Sequence, residues 1–367
     1  MKARFVCRKC GRTELITTHK AKCDCGGLWE LDHQPPKFTE ALIDKDIWSI
    51  FRYHKFMAVS DGTWQDITLG EGMTPIIPLD ADVWLKMDYF MPTLSFKDRG
   101  AAVLIAHARA IGVKNVVQDS SGNAGNSVAA YCGRAGIACE IFVPEGTSNK
   151  KIRMIEAHGA KISIVAGSRD HCAEVCREKA ASEGIYYANH VYNPLFYEGT
   201  KTYIYETYEQ MHRIPDHIII PLGNGTLFLG IVKGLEHLLA SGMILHMPKL
   251  IIVQSEKCQP FLDAMEKWLA DAVDNHAEPT MAEGIAIGVP MRAEEILEKI
   301  RTYDVKGVSI PEEDILSARA MLAKQGIYCE HTTAAVFAGY QHYCKLHGQL
   351  HDVLISMCGA GLKSDHS

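Results

Sequence analysis

The 367-residue sequence has no long apolar run, no basic cluster and no internal repeat. Its longest hydrophobic stretches, such as 218–222, fall far short of the roughly 20 residues that span a bilayer. That argues against a membrane-spanning helix. Basic residues number 38 against 44 acidic, a net charge of −6, and no Lys/Arg stretch stands out. A phosphate-backbone binder normally shows a basic patch, so nucleic acid is not an expected partner. The opening residues hold no apolar leader, so the expected location is the cytoplasm, where thiols stay reduced. The twelve cysteines then read as free thiols with a metal site among them, not as a disulfide framework.

What the chain does have is ordinary globular composition, 47% hydrophobic and 22% charged, and enough length for about two domains plus a small third one. Residues 1–33 are polar and cysteine-rich. Residues 34–83 mix aromatics with turn signals, including Gly70-Glu71-Gly72 and Pro75. Beyond Val83, β-branched runs alternate with helical patterns. Strands are expected over 115–119, 139–143, 161–165, 217–222, 250–254 and 352–357. Helices are expected over 101–110, 126–135, 149–158, 171–183, 227–239, 315–325 and 333–346. Such alternation predicts an α/β protein with parallel sheets covered by helices. Ser309 with Glu312 reads as a capping box ahead of the 315–325 helix.

At the N-terminus, Cys7-x2-Cys10-Gly11 is followed, after twelve residues from Cys10, by Cys23-x-Cys25-Gly26-Gly27. Four thiolates from two turns suit a tetrahedral zinc ion, and the glycines let the backbone turn around it. Four protein ligands leave no open position, so such a zinc would be structural.

Pro92-Thr-Leu-Ser95-Phe96-Lys97-Asp98-Arg-Gly100 precedes an apolar helix. Ser95 and Asp98 match a capping pair, which puts Lys97 in the first helical turn. The positive end of the helix dipole and burial beside Phe96 both disfavour an ammonium there. A lysine of depressed pKa is the nucleophile that a Schiff-base cofactor requires. Two strand–turn–helix loops supply the complement. Asp119-Ser-Ser-Gly-Asn-Ala-Gly-Asn126 offers hydroxyls and backbone N–H groups to a carboxylate at a helix start. In Ile218-Ile-Ile-Pro-Leu-Gly-Asn-Gly-Thr226, Gly223 and Gly225 permit the close approach that a phosphate cradle needs. A reactive lysine with two anion cradles fits a phosphorylated aldehyde cofactor and an amino-acid substrate.

These residues resemble the threonine synthase-like family of fold-type-II pyridoxal-phosphate (PLP) enzymes. The likeness continues through Leu69-Gly-Glu-Gly-Met-Thr-Pro75, Glu198-Gly-Thr-Lys-Thr202, Gly284-Ile-Ala-Ile-Gly-Val-Pro290, Cys329-Glu330 and Cys358-Gly-Ala-Gly-Leu-Lys363. It implies two parallel-sheet α/β domains with an N-terminal zinc-ribbon-like segment. The expected division is a ribbon at 1–33, a large PLP-binding domain at 34–100 and 198–367, and a small mobile domain at 101–197. It also implies that Lys97 carries PLP as a Schiff base and that Asn123 bonds the ring hydroxyl. Gly223, Asn224, Gly225 and Thr226 would hold the phosphate. Ser95, Ser120, Ser121, Asn126 and Glu330 would line the substrate side, and a homodimer is expected.

Two departures from the family pattern bear on the substrate. Threonine synthases read Asn-Pro-x-Arg-x-Glu-Gly-x-Lys-Thr, with the arginine gripping the phosphate of phosphohomoserine. Here Phe196 stands in the arginine's place. Losing a charge-assisted contact to a dianion costs about 1.5–3 kcal/mol, unless Lys150, Lys151 or Arg153 compensates. Cys358 occupies the position where the family usually has Thr facing the pyridine nitrogen, and resembles serine and threonine dehydratases there. Both departures favour an ammonia-lyase on a hydroxy- or diamino-acid. The alternatives are threonine synthase proper, a β-replacement synthase, and a non-catalytic PLP-binding or zinc-ribbon interaction protein. Cys172, Cys176 and most of the 17 histidines read as surface or core residues, with His331 the one nearest the substrate motifs.

Overall fold

The computed structural model describes residues 3–59, 62–273 and 277–363. The chain divides into two compact units. One comprises Met1–Glu71 and Lys97–Thr200, the other Gly72–Phe96 and Lys201–Asp365.

In the first unit, a three-stranded antiparallel ribbon forms from Arg4–Cys7, Thr13–Leu15 and Trp29–Asp32, with Arg4–Cys7 in the centre. The unit's other sheet is wholly parallel. It runs in the order Lys161–Val165, Ala138–Pro144, Asn115–Gln118, Tyr186–Tyr187. Helices Asn123–Ala135, Asn149–Ala157 and Arg169–Glu183 connect its strands. Gly136 ends the first of these in a left-handed conformation (φ 66°). Ser168 caps the third, its hydroxyl accepting from His171 N at 3.2 Å, and so starts that helix two residues before the expected 171. Cys172 and Cys176 lie in the core with Val117, Phe142 and Tyr187, as expected of core residues.

The second unit is built on a six-stranded sheet in the order Lys306–Ile310, Lys249–Ser255, His217–Pro221, Val353–Ser356, Val83–Lys86, Ile76–Pro78. All neighbours are parallel except the last pair, where Pro78 sits on the edge strand, as a residue without an N–H donor requires. Ile219 faces Ile251 on one side and Ile355 on the other. That is why the 218–220 stretch reads as continuously apolar: a central parallel strand is buried on both faces. Helices Glu312–Lys324 and His331–His347 seal one cluster through Ile315, Leu322 and Phe337.

Several expectations change. Residues 34–71 were expected with the large domain but cluster with Lys97–Thr200. The reason is visible in buried polar ties: Ala58 N donates to Glu198 Oε2 at 2.8 Å, and Tyr131 OH donates to Glu71 Oε2 at 2.8 Å. The Ser309–Glu312 capping box does not form. Ser309 lies in the strand Lys306–Ile310 and donates to Gln259, while Glu312 accepts from Ser255 Oγ, Thr280 Oγ1 and Met281 N. Nor do Ser95 and Asp98 pair as a cap. Asp98 accepts instead from Ser127 Oγ on the neighbouring helix.

Candidate active site

Lys97 is the first residue of the helix Lys97–Ala110, as the motif implied, and is half-buried beside the buried Phe96. The helix is held by a close approach to Leu195–Thr200. A Cβ at Gly100 would collide with the Phe196 ring, and one at Gly199 with the Arg99 carbonyl. Glycine at both positions is what lets the backbones meet.

The loop 119–126 follows the strand Asn115–Gln118. Ser120 N donates to Gln118 Oε1 at 2.6 Å, Gly122 N donates to Ser120 Oγ at 3.3 Å, and Gly122 precedes the helix Asn123–Ala135. Gly125 carries the turn, because a Cβ there would collide with the Ser120 carbonyl oxygen. Ser121, Gly122 and Asn123 remain partly exposed at the tip, as the sequence implied for an anion cradle. Asn126 is only 7% exposed, and its Oδ1 has no hydrogen-bond partner among the described residues.

One part of this half was not foreseen. His190 sits at the buried rim of the loop, its Nδ1 3.4 Å from Gln118 Nε2, and its ring meets Phe196 at 5.8 Å between centroids. Burial first, then the charges of Lys97 and Arg169, hold this imidazole well below its ordinary value. Its sequence signal was weak: one histidine among 17, directly upstream of the Asn193-Pro motif.

The second unit carries the remaining motif residues. The turn Gly223–Gly225 leads into the helix Thr226–Ala240, with Gly225 left-handed at φ 74°. A Cβ at Gly223 would lie 2.7 Å from Gly284 O, which explains why the Gly284 motif accompanies the turn. Asn224 is partly exposed and Thr226 buried at the head of the helix, where first-turn N–H groups favour an anion. Gly359 gathers a second set. Ser95 bridges to it, Phe96 N donates to Cys358 O at 2.9 Å, and Glu330 N donates to Gly359 O at 3.0 Å. Thr333 Oγ1 accepts from Gly359 N at 2.8 Å. Cys358 is buried, its thiol directed at Ser356 O. Ser95 is 0% exposed, yet its hydroxyl has no partner among the described residues.

An orphaned buried polar atom costs on the order of 1–3 kcal/mol, so Ser95 and Asn126, each within its own unit, mark places that a polar ligand would complete. His331 turns elsewhere, its Nε2 3.4 Å from Arg319. Lys150 and Arg153 are exposed on the Asn149–Ala157 helix, which leads to the edge strand Lys161–Val165. Phe196 follows the strand at the opposite edge, Tyr186–Tyr187.

In the ribbon, the four Sγ atoms of Cys7, Cys10, Cys23 and Cys25 all lie within 4.8 Å of one another. Cys7–Cys25 and Cys10–Cys23 are 3.5 and 3.7 Å apart. A tetrahedron of ~2.3 Å zinc–sulfur bonds has edges of about 3.8 Å, so the thiols fit that ion. The short second knuckle is accommodated by Gly26 at φ 83° and by Gly27, where a Cβ would lie 2.6 Å from Cys7 Sγ.

Residues 67–359 match the family described as pyridoxal-phosphate dependent enzyme. The threonine synthase of Methanocaldococcus jannaschii is 31% identical over 348 residues, covering 91% of this chain and 85% of that one. The processed form of threonine deaminase isoform 2 from Solanum lycopersicum superposes with a TM-score of 0.69 at 20% identity, over 89% of this chain and 92% of that chain. A fungal L-serine ammonia-lyase from Rhizomucor miehei gives 0.68 at 20% identity, over 79% and 94%. The last two likenesses speak to the fold. Together with the lysine and glycine motifs, the family match and the 31% identity show that the chain belongs to the threonine synthase-like family of fold-type-II pyridoxal-phosphate-dependent enzymes.

Proposed function

We propose that the chain is an ammonia-lyase that acts on a small hydroxy- or diamino-acid and releases a 2-oxo acid. The observation that carries this reading is Phe196. Its ring is 0% exposed and packed on Gly100, in the position where threonine synthases place the arginine for a substrate phosphate. A phenyl ring donates no hydrogen bond to a dianion, and water cannot reach this position to replace one.

Lys97 would hold the cofactor, Asn123 would bond its ring hydroxyl, and Gly223, Asn224, Gly225 and Thr226 would bind its phosphate. When bound, the cofactor supplies the electron sink for loss of a Cα proton and of a leaving group on the β-carbon. Lys97 Nζ is the base for that proton. Ser120, Ser121 and the N–H groups at the start of the Asn123–Ala135 helix bind the substrate carboxylate. The orphaned Ser95 hydroxyl and Asn126 carbonyl gain partners when substrate is present. By resemblance, Cys358 would be the neutral side chain toward the cofactor's ring nitrogen, offering it no charged partner. The ribbon thiols Cys7, Cys10, Cys23 and Cys25 would hold a structural zinc ion.

The competing reading is threonine synthase, which the 31% identity favours. Product analysis separates them. Cofactor-loaded protein is offered L-threonine, L-serine, 2,3-diaminopropionate and O-phospho-L-homoserine in separate vessels. Ammonia with 2-oxo acid from one of the first three supports the lyase. Phosphate and threonine from the last, with no ammonia elsewhere, supports the synthase.

A further inference from the structure

The hydrogen-bond order around His190 fixes its tautomer. Ser120 N donates to Gln118 Oε1 at 2.6 Å, which identifies the oxygen end of that amide. The nitrogen end then faces His190 Nδ1 at 3.4 Å. Gln118 Nε2 can only donate, so Nδ1 accepts, and the ring proton of the neutral imidazole sits on Nε2. Burial favours that neutral form, and Lys97 and Arg169, the two charged groups that act on it, are both cations.

The ring is also held in place. Asn189 donates to Asp119 Oδ1 at 2.7 Å and accepts from Val191 N at 2.8 Å and Tyr192 N at 3.2 Å. This turn ties His190 to the Asp119–Asn126 loop on one side. On the other, the imidazole meets Phe196 with planes at 64°. The ring therefore stands between the loop that suits a substrate carboxylate and the residue that replaces the phosphate-gripping arginine, with its proton on Nε2.

We infer that His190 is a specificity-determining residue whose Nε2–H donates a hydrogen bond to an uncharged hydroxyl on the substrate side chain. This rests on the lyase reading and narrows it to hydroxy-amino acids. A side-chain ammonium has no proton acceptor to offer the donor, and it would enter beside Lys97 and Arg169. Phe196 offers a phosphate dianion no donor, where threonine synthases place an arginine.

Rapid mixing of cofactor-loaded protein with L-serine or L-alanine gives a dissociation constant for each from the change in the cofactor's absorbance. A single neutral hydrogen bond predicts that the wild type prefers L-serine by about tenfold. His190→Phe should erase that preference while leaving L-alanine affinity within about threefold, and His190→Asn, which keeps an N–H donor, should restore part of it. An equal preference in all three proteins would overturn the inference. So would a His190→Phe variant that loses both ligands together with no rescue by His190→Asn. A measurement without variants is the ¹⁵N resonance of His190 Nε2 in the wild type. It should move on adding L-serine and stay on adding L-alanine; movement with neither or with both equally would contradict the donor role. Failure of the lyase reading looks different: phosphate and threonine from O-phospho-L-homoserine, with no ammonia from L-serine. The serine-against-alanine comparison decides His190 in either case.

Discussion

The carboxyl group of Glu330 lies against the Cα of Gly359, leaving no space there for even a methyl group. Gly359 simultaneously bridges to Ser95, accepts from Glu330 N and exchanges hydrogen bonds with Thr333, so it cannot move aside. Gly359→Ala should therefore cost about 1–3 kcal/mol in overpacking. It should also weaken amino-acid binding, since Cys358, Ser95 and Glu330 are all displaced with it. Urea melts and amino-acid titrations of the cofactor spectrum check both. Unchanged stability would mean that Glu330 swings away freely.

Lys97→Ala should remove the visible absorption of the lysine-linked cofactor without unfolding the protein, because the side chain is half-buried at a helix start. The absorbance spectrum after cofactor loading, with a thermal melt alongside, checks this. Survival of the band would move the cofactor attachment to another lysine.

The ribbon shares a core with the segment that carries Phe196. Phe5, Cys7, Cys23, Trp29 and Ala58 pack with Leu195, and His33 Nδ1 lies 3.5 Å from Glu198 Oε2. Metal removal should thus be felt beyond the cysteines. Metal analysis should find about one zinc per chain. Chelation should speed hydrogen exchange at residues 195–200 at least about tenfold, through the local opening that exchange reports. Unaltered exchange there after verified metal loss would make the ribbon an independent appendage.

His107 joins the same ribbon to the Lys97 helix by donating from Nε2 to Ile16 O at 2.8 Å. Burial pushes its imidazole from 6.5 down to about 4. Between those values the unfolded chain binds a proton that the folded one does not, so stability falls as pH drops from 6.5 toward 4. The effect is at most about 3 kcal/mol. His107→Gln, which keeps a donor for Ile16 O, should flatten that part of the stability–pH curve. An identical slope in wild type and variant would contradict the assignment.

Much of this was readable from residue order. The strands and helices that were expected beyond residue 110 fall within three residues of expectation, because buried parallel strands must be β-branched and apolar on both faces. The strands Tyr186–Tyr187 and Lys306–Ile310 and the helices Leu195–Thr200, Thr202–Met211, Pro260–Glu266 and Ala293–Thr302 were not expected. The Gly-rich loops were legible for the same local reason: Gly125, Gly223 and Gly225 meet backbone or side chains that exclude a Cβ. Three kinds of feature were not. The ribbon strands are three or four residues long and partly exposed, so they carry no clear apolar period. The supposed caps at Ser95 and Ser309 failed because a bridge to Gly359 in one case and a sheet position in the other claimed those residues first. His190 acquires meaning only through Gln118, 72 residues earlier, and no local pattern records that contact.

The central claim is that Phe196 turns this scaffold away from a phosphorylated substrate. Its most direct test is a competition in one vessel, with L-threonine and O-phospho-L-homoserine at equal concentration and cofactor-loaded protein. Ammonia and inorganic phosphate are followed together. The account predicts ammonia and 2-oxobutyrate accumulating with no phosphate released. Phosphate release outpacing ammonia would contradict it.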